Sequence, residues 1–143
     1  MSNKPTQTDL TALLDTYKKS VFNKDLELFL SIFEEDFRAF DMWESWSLRG
    51  IEEWRAETKE WFDSLGDERV VVTFDEVESS SSGEMAYATA FVKFAAVNTK
   101  GEQLRFLENR LSWVARAKDG EWKVIHQHTS SPIDSAMKAI LKR

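Results

Sequence analysis

Asp41 stands in the run Phe40-Asp41-Met42-Trp43, a carboxylate among two aromatic rings and a thioether. Where such a group is held away from water its neutral form is favoured, and its pKa rises toward the range in which it can take and return a proton. An aspartate at a strand end is also an ordinary turn residue. Tyr17 falls on the apolar stripe Leu10, Leu13, Leu14, Tyr17 and Val21. A phenol there must either find a hydrogen-bond partner inside or open onto a pocket. Trp43, Trp46, Trp54, Phe94 and Phe106 are candidate walls for a flat ligand, and the same rings would serve equally as core.

His126 and His128 are two apart in Trp122-Lys123-Val124-Ile125-His126-Gln127-His128 and share one strand face, with Trp122 and Val124 beside them. Two imidazoles are too few ligands for a metal site, so the pair is expected to order a pocket or touch its ligand. Neither a metal nor a cofactor is expected. Glu108, Arg110 and Ser112 alternate on one face of the preceding strand. That face is costly to bury unless its charges pair or meet a ligand, and the alternative is an exposed or interfacial charge ladder.

The elements that must position these groups follow from periodicity. Thr6 to Asp9 has capping-box spacing before a helix over about 8–22, and the dense apolar run Leu26 to Phe33 predicts a second helix ending near Glu34 or Glu35. Phe37 to Trp43 alternates as a first strand. Gly50 precedes a helical stripe, Ile51, Trp54, Trp61, Phe62 and Leu65, that Gly66 stops. Strands are expected over 70–78, 84–98, 103–117 and 121–129, with turns at the serine run 79–82, at Thr99-Lys100-Gly101 and at Asp119-Gly120. Residues 133–143 read as a short basic helix or a loosely held tail. Helices first and hairpin-linked strands after give an α+β domain over 1–143, its helices covering one face of an antiparallel sheet.

Composition narrows the function. Aromatic residues make up 13% of the 143, with ten Phe and six Trp, so something wide must be filled or lined. A net charge of −6 repels phosphate backbones and argues against nucleic acid. No run approaches the roughly 18 consecutive apolar residues of a membrane span. The absence of cysteine and the polar start MSNKPTQTD fit a cytoplasmic setting.

Asp25-Leu26 at the second helix, Leu48-Arg49-Gly50 before the third, and DGEWKVIHQHTSSP at the end resemble, in that order, the SnoaL-like and NTF2-like superfamily over about 8–132. The ending is also similar to that of the calcium/calmodulin-dependent kinase association domain. The resemblance implies a cone of three helices on a strongly curved antiparallel sheet, a pocket at its open end, and homodimers formed through the outer sheet face. Phe91, Leu111 and Trp113 are the residues expected to make that face apolar. Ketosteroid isomerase is a relative by architecture. Tyr17 matches its oxyanion-hole tyrosine and Asp41 its general base, while its third member, a protonated aspartate, has no acidic counterpart over Ser112–Val114. Arg110 resembles an arginine that points into the cone of SnoaL-like proteins, which implies a carboxylate-bearing ligand. Two functions follow: binding of a small hydrophobic or aromatic molecule with acid-base chemistry on a carbonyl, or a non-enzymatic homo-oligomerising module with a vestigial or metabolite-binding pocket.

Overall fold

Leu14, Tyr17 and Val21 are buried at helical spacing along α1 (Thr11–Asn23), which ends where Lys24 turns left-handed. Asp25 opens α2 (Leu26–Leu30) by accepting the Leu28 N–H at 3.1 Å. The helix stops after five residues, and the apolar run continues as β1 (Phe33–Phe40), so Ile32 and Phe33 belong to turn and strand and not to a longer helix. The cause is pairing. The Ile32 carbonyl takes the Val124 N–H at 2.8 Å, a ladder bond that a helix would not leave free. After the short β2 (Leu48–Arg49), Gly50 adopts φ 89° and donates its N–H to the Phe37 carbonyl at 2.6 Å, a left-handed corner that suits glycine and starts α3 (Ile51–Ser64). The computed structural model describes residues 10–143, so the proposed capping box at Thr6–Asp9 lies outside the described residues.

Four long strands complete the chain: β3 (Arg69–Ser82), β4 (Met85–Val97), β5 (Gln103–Lys118) and β6 (Glu121–Ser130). The sheet order is β2-β1-β6-β5-β4-β3, antiparallel except for β1 against β6, which run parallel. Ser79–Ser82 are strand rather than turn, paired with Ala88 through Met85, because the reversal needs only Gly83-Glu84. Asp119 and Gly120 both have positive φ, 53° and 81°, as a two-residue hairpin with the strands' twist requires.

The helices cover one sheet face and enclose an aromatic core. Phe29 lies 5.0 Å from Tyr17, 5.3 Å from Phe33 and 5.9 Å from Phe62, between ring centroids. Such pairs add about 0.5–1.5 kcal/mol each beyond the area they bury. Leu111 and Trp113 belong to this core, at 3% and 1% exposure, and so cannot make the outer face apolar as expected. That face carries Phe91, Val114 and the exposed Tyr87 instead.

Residues 132–143 form no helix. They run as a strap on the outer face, where the Glu108 N–H donates to the Leu141 carbonyl at 2.7 Å and Arg143 pairs with Glu108, Asp75 and Glu76. Among the described residues no helix is long and apolar enough to cross a membrane.

Candidate functional site

Between the helices and the covered sheet face lies a cavity of about 860 Å3. Trp54, Glu57, Thr58 and Trp61 line it at positions i, i+3, i+4 and i+7 of α3, one helical face. Tyr17 enters from α1, Phe94 from β4, Asn109 from β5, and Gln127 and Thr129 from β6. Asp41 and Trp43, just past the end of β1, supply another edge. Six of the residues singled out from the sequence, Tyr17, Asp41, Trp43, Trp54, Phe94 and, at the edge, Phe106, thus reach one cavity.

Asp41 is held by its neighbours. The Thr129 hydroxyl donates to its Oδ1 at 3.0 Å while accepting the Met42 N–H at 3.1 Å, so β6 fixes both the carboxylate and the backbone beside it. Burial pushes the Asp41 pKa up, and the hydrogen bonds from Thr129 and from the Trp43 and Met42 N–H groups oppose that rise without cancelling it. Burial likewise drives the Tyr17 phenol well above its ordinary pKa, and the Asp41 charge adds to the shift. The two groups therefore lie within electrostatic reach of each other. Glu57 is raised by burial and then by the negative charges of Glu60, Asp41 and Glu44.

The remaining sequence candidates lie elsewhere. In β5, Asn109, Leu111 and Trp113 point inward, so Arg110 points out, exposed, and donates from Nε to Ser130 Oγ at 3.1 Å. This register takes Arg110 out of the pocket, and with it the reason for expecting a carboxylate-bearing ligand. His126 and His128 do not share a face with Trp122 and Val124. Val124 pairs with Ala115 and His126 with Val114, so Ile125 is an extra residue in β6 that reverses the alternation. Gln127 and Thr129 turn inward, and the histidines turn out to pack edge-on against Phe40. His126 Nδ1 donates to the Arg38 carbonyl at 2.9 Å. Trp46 is 97% exposed and, with His128, borders a second, smaller depression of about 520 Å3 that shares Asp41, Trp43 and Thr129 with the first. Phe106 touches the cavity's edge, but it pairs with Ala95, out of phase with inward Phe94 and Leu107, and its ring lies under the Lys93 and Lys142 ammonium groups.

Several cavity residues were not anticipated, and the sequence held signals for them. Asn109 breaks the otherwise apolar inward row Leu107, Leu111, Trp113 and Ala115. Glu57 and Trp61 share the α3 face already marked by Trp54. Trp113 occupies the inward position within Ser112–Val114, and its Nε1 donates to Gln127 Oε1 at 2.9 Å. Asn109 is 7% exposed; its Nδ2 meets Met42 Sδ at 3.3 Å and its Oδ1 has no partner among the described residues. No group of three or more His, Asp or Glu among the described residues is arranged to hold a metal ion.

The sequence matches the SnoaL-like domain over residues 10–134. The chain belongs to the SnoaL-like domain family. Solved structures agree on the fold of this SnoaL-like chain. An NTF2-like protein of unknown function from Pseudomonas putida KT2440 superposes with a TM-score of 0.82 at 19% identity, over 94% of this chain and 92% of that one. An NTF2-like superfamily protein from Salmonella enterica gives 0.68 at 19% identity, over 88% and 90%. A protein from Xanthomonas campestris, described as a candidate calcium/calmodulin dependent protein kinase II association domain, gives 0.72 at 14% identity, over 86% and 85%. No curated protein matches the sequence.

Proposed function

We propose that this SnoaL-like domain binds a flat, largely apolar small molecule in the cavity and acts on it by acid-base chemistry, with Asp41 as base and Tyr17 as hydrogen-bond donor. The observation that carries the reading is that a carboxylate with a raised pKa and a buried phenol reach one aromatic cavity, close enough for the charge of one to shift the other. On a carbonyl-bearing ligand, the Asp41 carboxylate takes the proton from the carbon next to the carbonyl. The C–H electron pair moves to the carbonyl oxygen as an enolate, which Tyr17 stabilises by donating its hydroxyl proton in a hydrogen bond. Asp41 then returns the proton to a different carbon.

The rate is expected to be low. An oxyanion hole that lacks one donor loses on the order of 100- to 1,000-fold, and Trp113, at the inward position of Ser112–Val114, is committed to Gln127. A direct assay of double-bond migration on a steroid enone, comparing the parent protein with Asp41→Asn, tests this. Slow turnover lost on substitution supports the base; equal turnover in both removes it. Absence of turnover with retained ligand binding leaves a binding domain.

A homodimer through the outer sheet face belongs to the same reading. Light scattering at micromolar concentration is expected to return twice 16.6 kDa, and the single-chain mass would reject it.

A further inference from the structure

The cavity's charge does not suit the anion first expected of it. Four carboxylates line it, Asp41, Glu44, Glu57 and Glu60, while Arg105 is its one cationic side chain among the described residues. That guanidinium is exposed and already engaged, donating to both Glu68 carboxylate oxygens at 2.6 and 3.3 Å. Lysine and histidine are both missing from the described lining.

A second, independent observation lies inside. Asn109 is buried on the cavity wall with Nδ2 already on a sulfur, so what it leaves unmet is Oδ1, an acceptor. A buried acceptor without a partner is costly, and the group that relieves it must bring an N–H or O–H. The walls agree. Trp43, Trp61 and Phe94 are electron-rich faces on which a cation is held more firmly than a neutral group of the same shape. Glu57 feels the repulsion of Glu60, Asp41 and Glu44, which an incoming positive charge offsets.

We infer that the cavity selects an organic cation, a protonated amine carried on a flat aromatic or apolar body. The amine N–H groups meet the carboxylates and Asn109 Oδ1, and the body lies among the tryptophans. This rests on the reading that the cavity binds a small molecule and is independent of whether it turns one over.

The test is calorimetric titration of the intact chain with three probes of one shape: 2-(1-naphthyl)ethylamine, 2-(1-naphthyl)ethanol and 1-naphthylacetate. The amine is expected to bind at least about 10-fold more tightly than the alcohol, one well-placed charge interaction, and the carboxylate most weakly. Glu57→Gln is expected to weaken the amine several-fold and leave the alcohol unchanged, and Asn109→Leu to remove part of the same preference. Melting curves establish that both variants are folded. Equal binding of amine and alcohol, or tightest binding of the carboxylate, overturns the cation while leaving a binding cavity. An amine preference that survives both substitutions also overturns it, by showing that the cation sits elsewhere. If none of the three binds at millimolar concentration, the cation and the pocket reading fall together.

Discussion

Replacing Thr129 with valine keeps the shape and removes one hydroxyl, which makes it a sharp probe of Asp41. The hydroxyl donates to Asp41 Oδ1 at 3.0 Å and accepts the Met42 N–H at 3.1 Å. A hydrogen bond to a neutral group contributes about 0.5–1.5 kcal/mol and one to a charged group about 1.5–3, so roughly 1 kcal/mol of the loss appears only when Asp41 is ionised. The sign follows from burial. The folded-state pKa of Asp41 is raised above its ordinary value, so its contribution to stability is fully present below the unfolded pKa and is lost as pH climbs through the folded one. Thr129 opposes the rise, so Thr129→Val pushes the midpoint further up and deepens the loss at neutral pH. Melting temperatures of parent and variant between pH 3 and pH 8 are the assay. The gap is expected to widen with pH by about 3–5 °C, the shift that 1 kcal/mol produces in a chain of this size. In an Asp41→Asn background the gap is expected to stay constant. A gap in the parent background that is constant or narrows with rising pH would refute the assignment of Thr129 as a partner of the charged carboxylate.

Three further outcomes follow from the same packing. Glu57→Gln is expected to raise stability by a few tenths of a kcal/mol at neutral pH and not at pH 3, because a half-buried carboxylate repelled by its neighbours is stabilising only while protonated; equal effects at both pH values would count against it. Trp113→Phe leaves Gln127 Oε1 without its donor and a gap in the core, a loss of about 2–3 kcal/mol in denaturant titrations, and a loss below about 0.5 would show the bond to be dispensable. Glu34 is buried and Arg116 half exposed, so Arg116→Ala, which strands the carboxylate, should cost about 2–3 kcal/mol against under about 1 for Glu34→Gln; the reverse order would contradict the burial argument.

Local signals made much of this fold legible. α1 and α3 carry long helical stripes, and Asp119-Gly120 is a strong hairpin signal, so those elements stand where the sequence places them. Tyr17, Trp54 and Phe94 reach the cavity because each sits on an element with a clear period, and Asp41 and Trp43 because they follow directly on β1. What could not be read depends on pairing between distant strands. Ile32 and Phe33 continue an apolar run that looks helical until Val124 claims the Ile32 carbonyl. Arg110 alternates cleanly, but alternation identifies a shared face without saying which face is covered. Ile125 leaves no mark in composition. Asn109 and Glu57 were visible as polar residues in apolar or aromatic rows, a pattern that marks a wall facing something other than core.

That one extra residue in β6 sets what the cavity can hold. Ahead of it Trp122 and Val124 face in; beyond it Gln127 and Thr129 do, and two imidazoles are carried to the other side of the sheet. Were β6 to run regularly with Ile125 in the ladder, both histidines would turn inward and the amide and the hydroxyl outward. Deleting Ile125 would leave the present facing intact, because His126 would then follow Val124 in the register it already has. The bulge, and not the composition of the strand, thus decides whether an amide and a hydroxyl or two imidazoles line the cavity. Position-by-position comparison with a relative of the same length but without the bulge would pair the histidines correctly and still assign them the wrong surroundings.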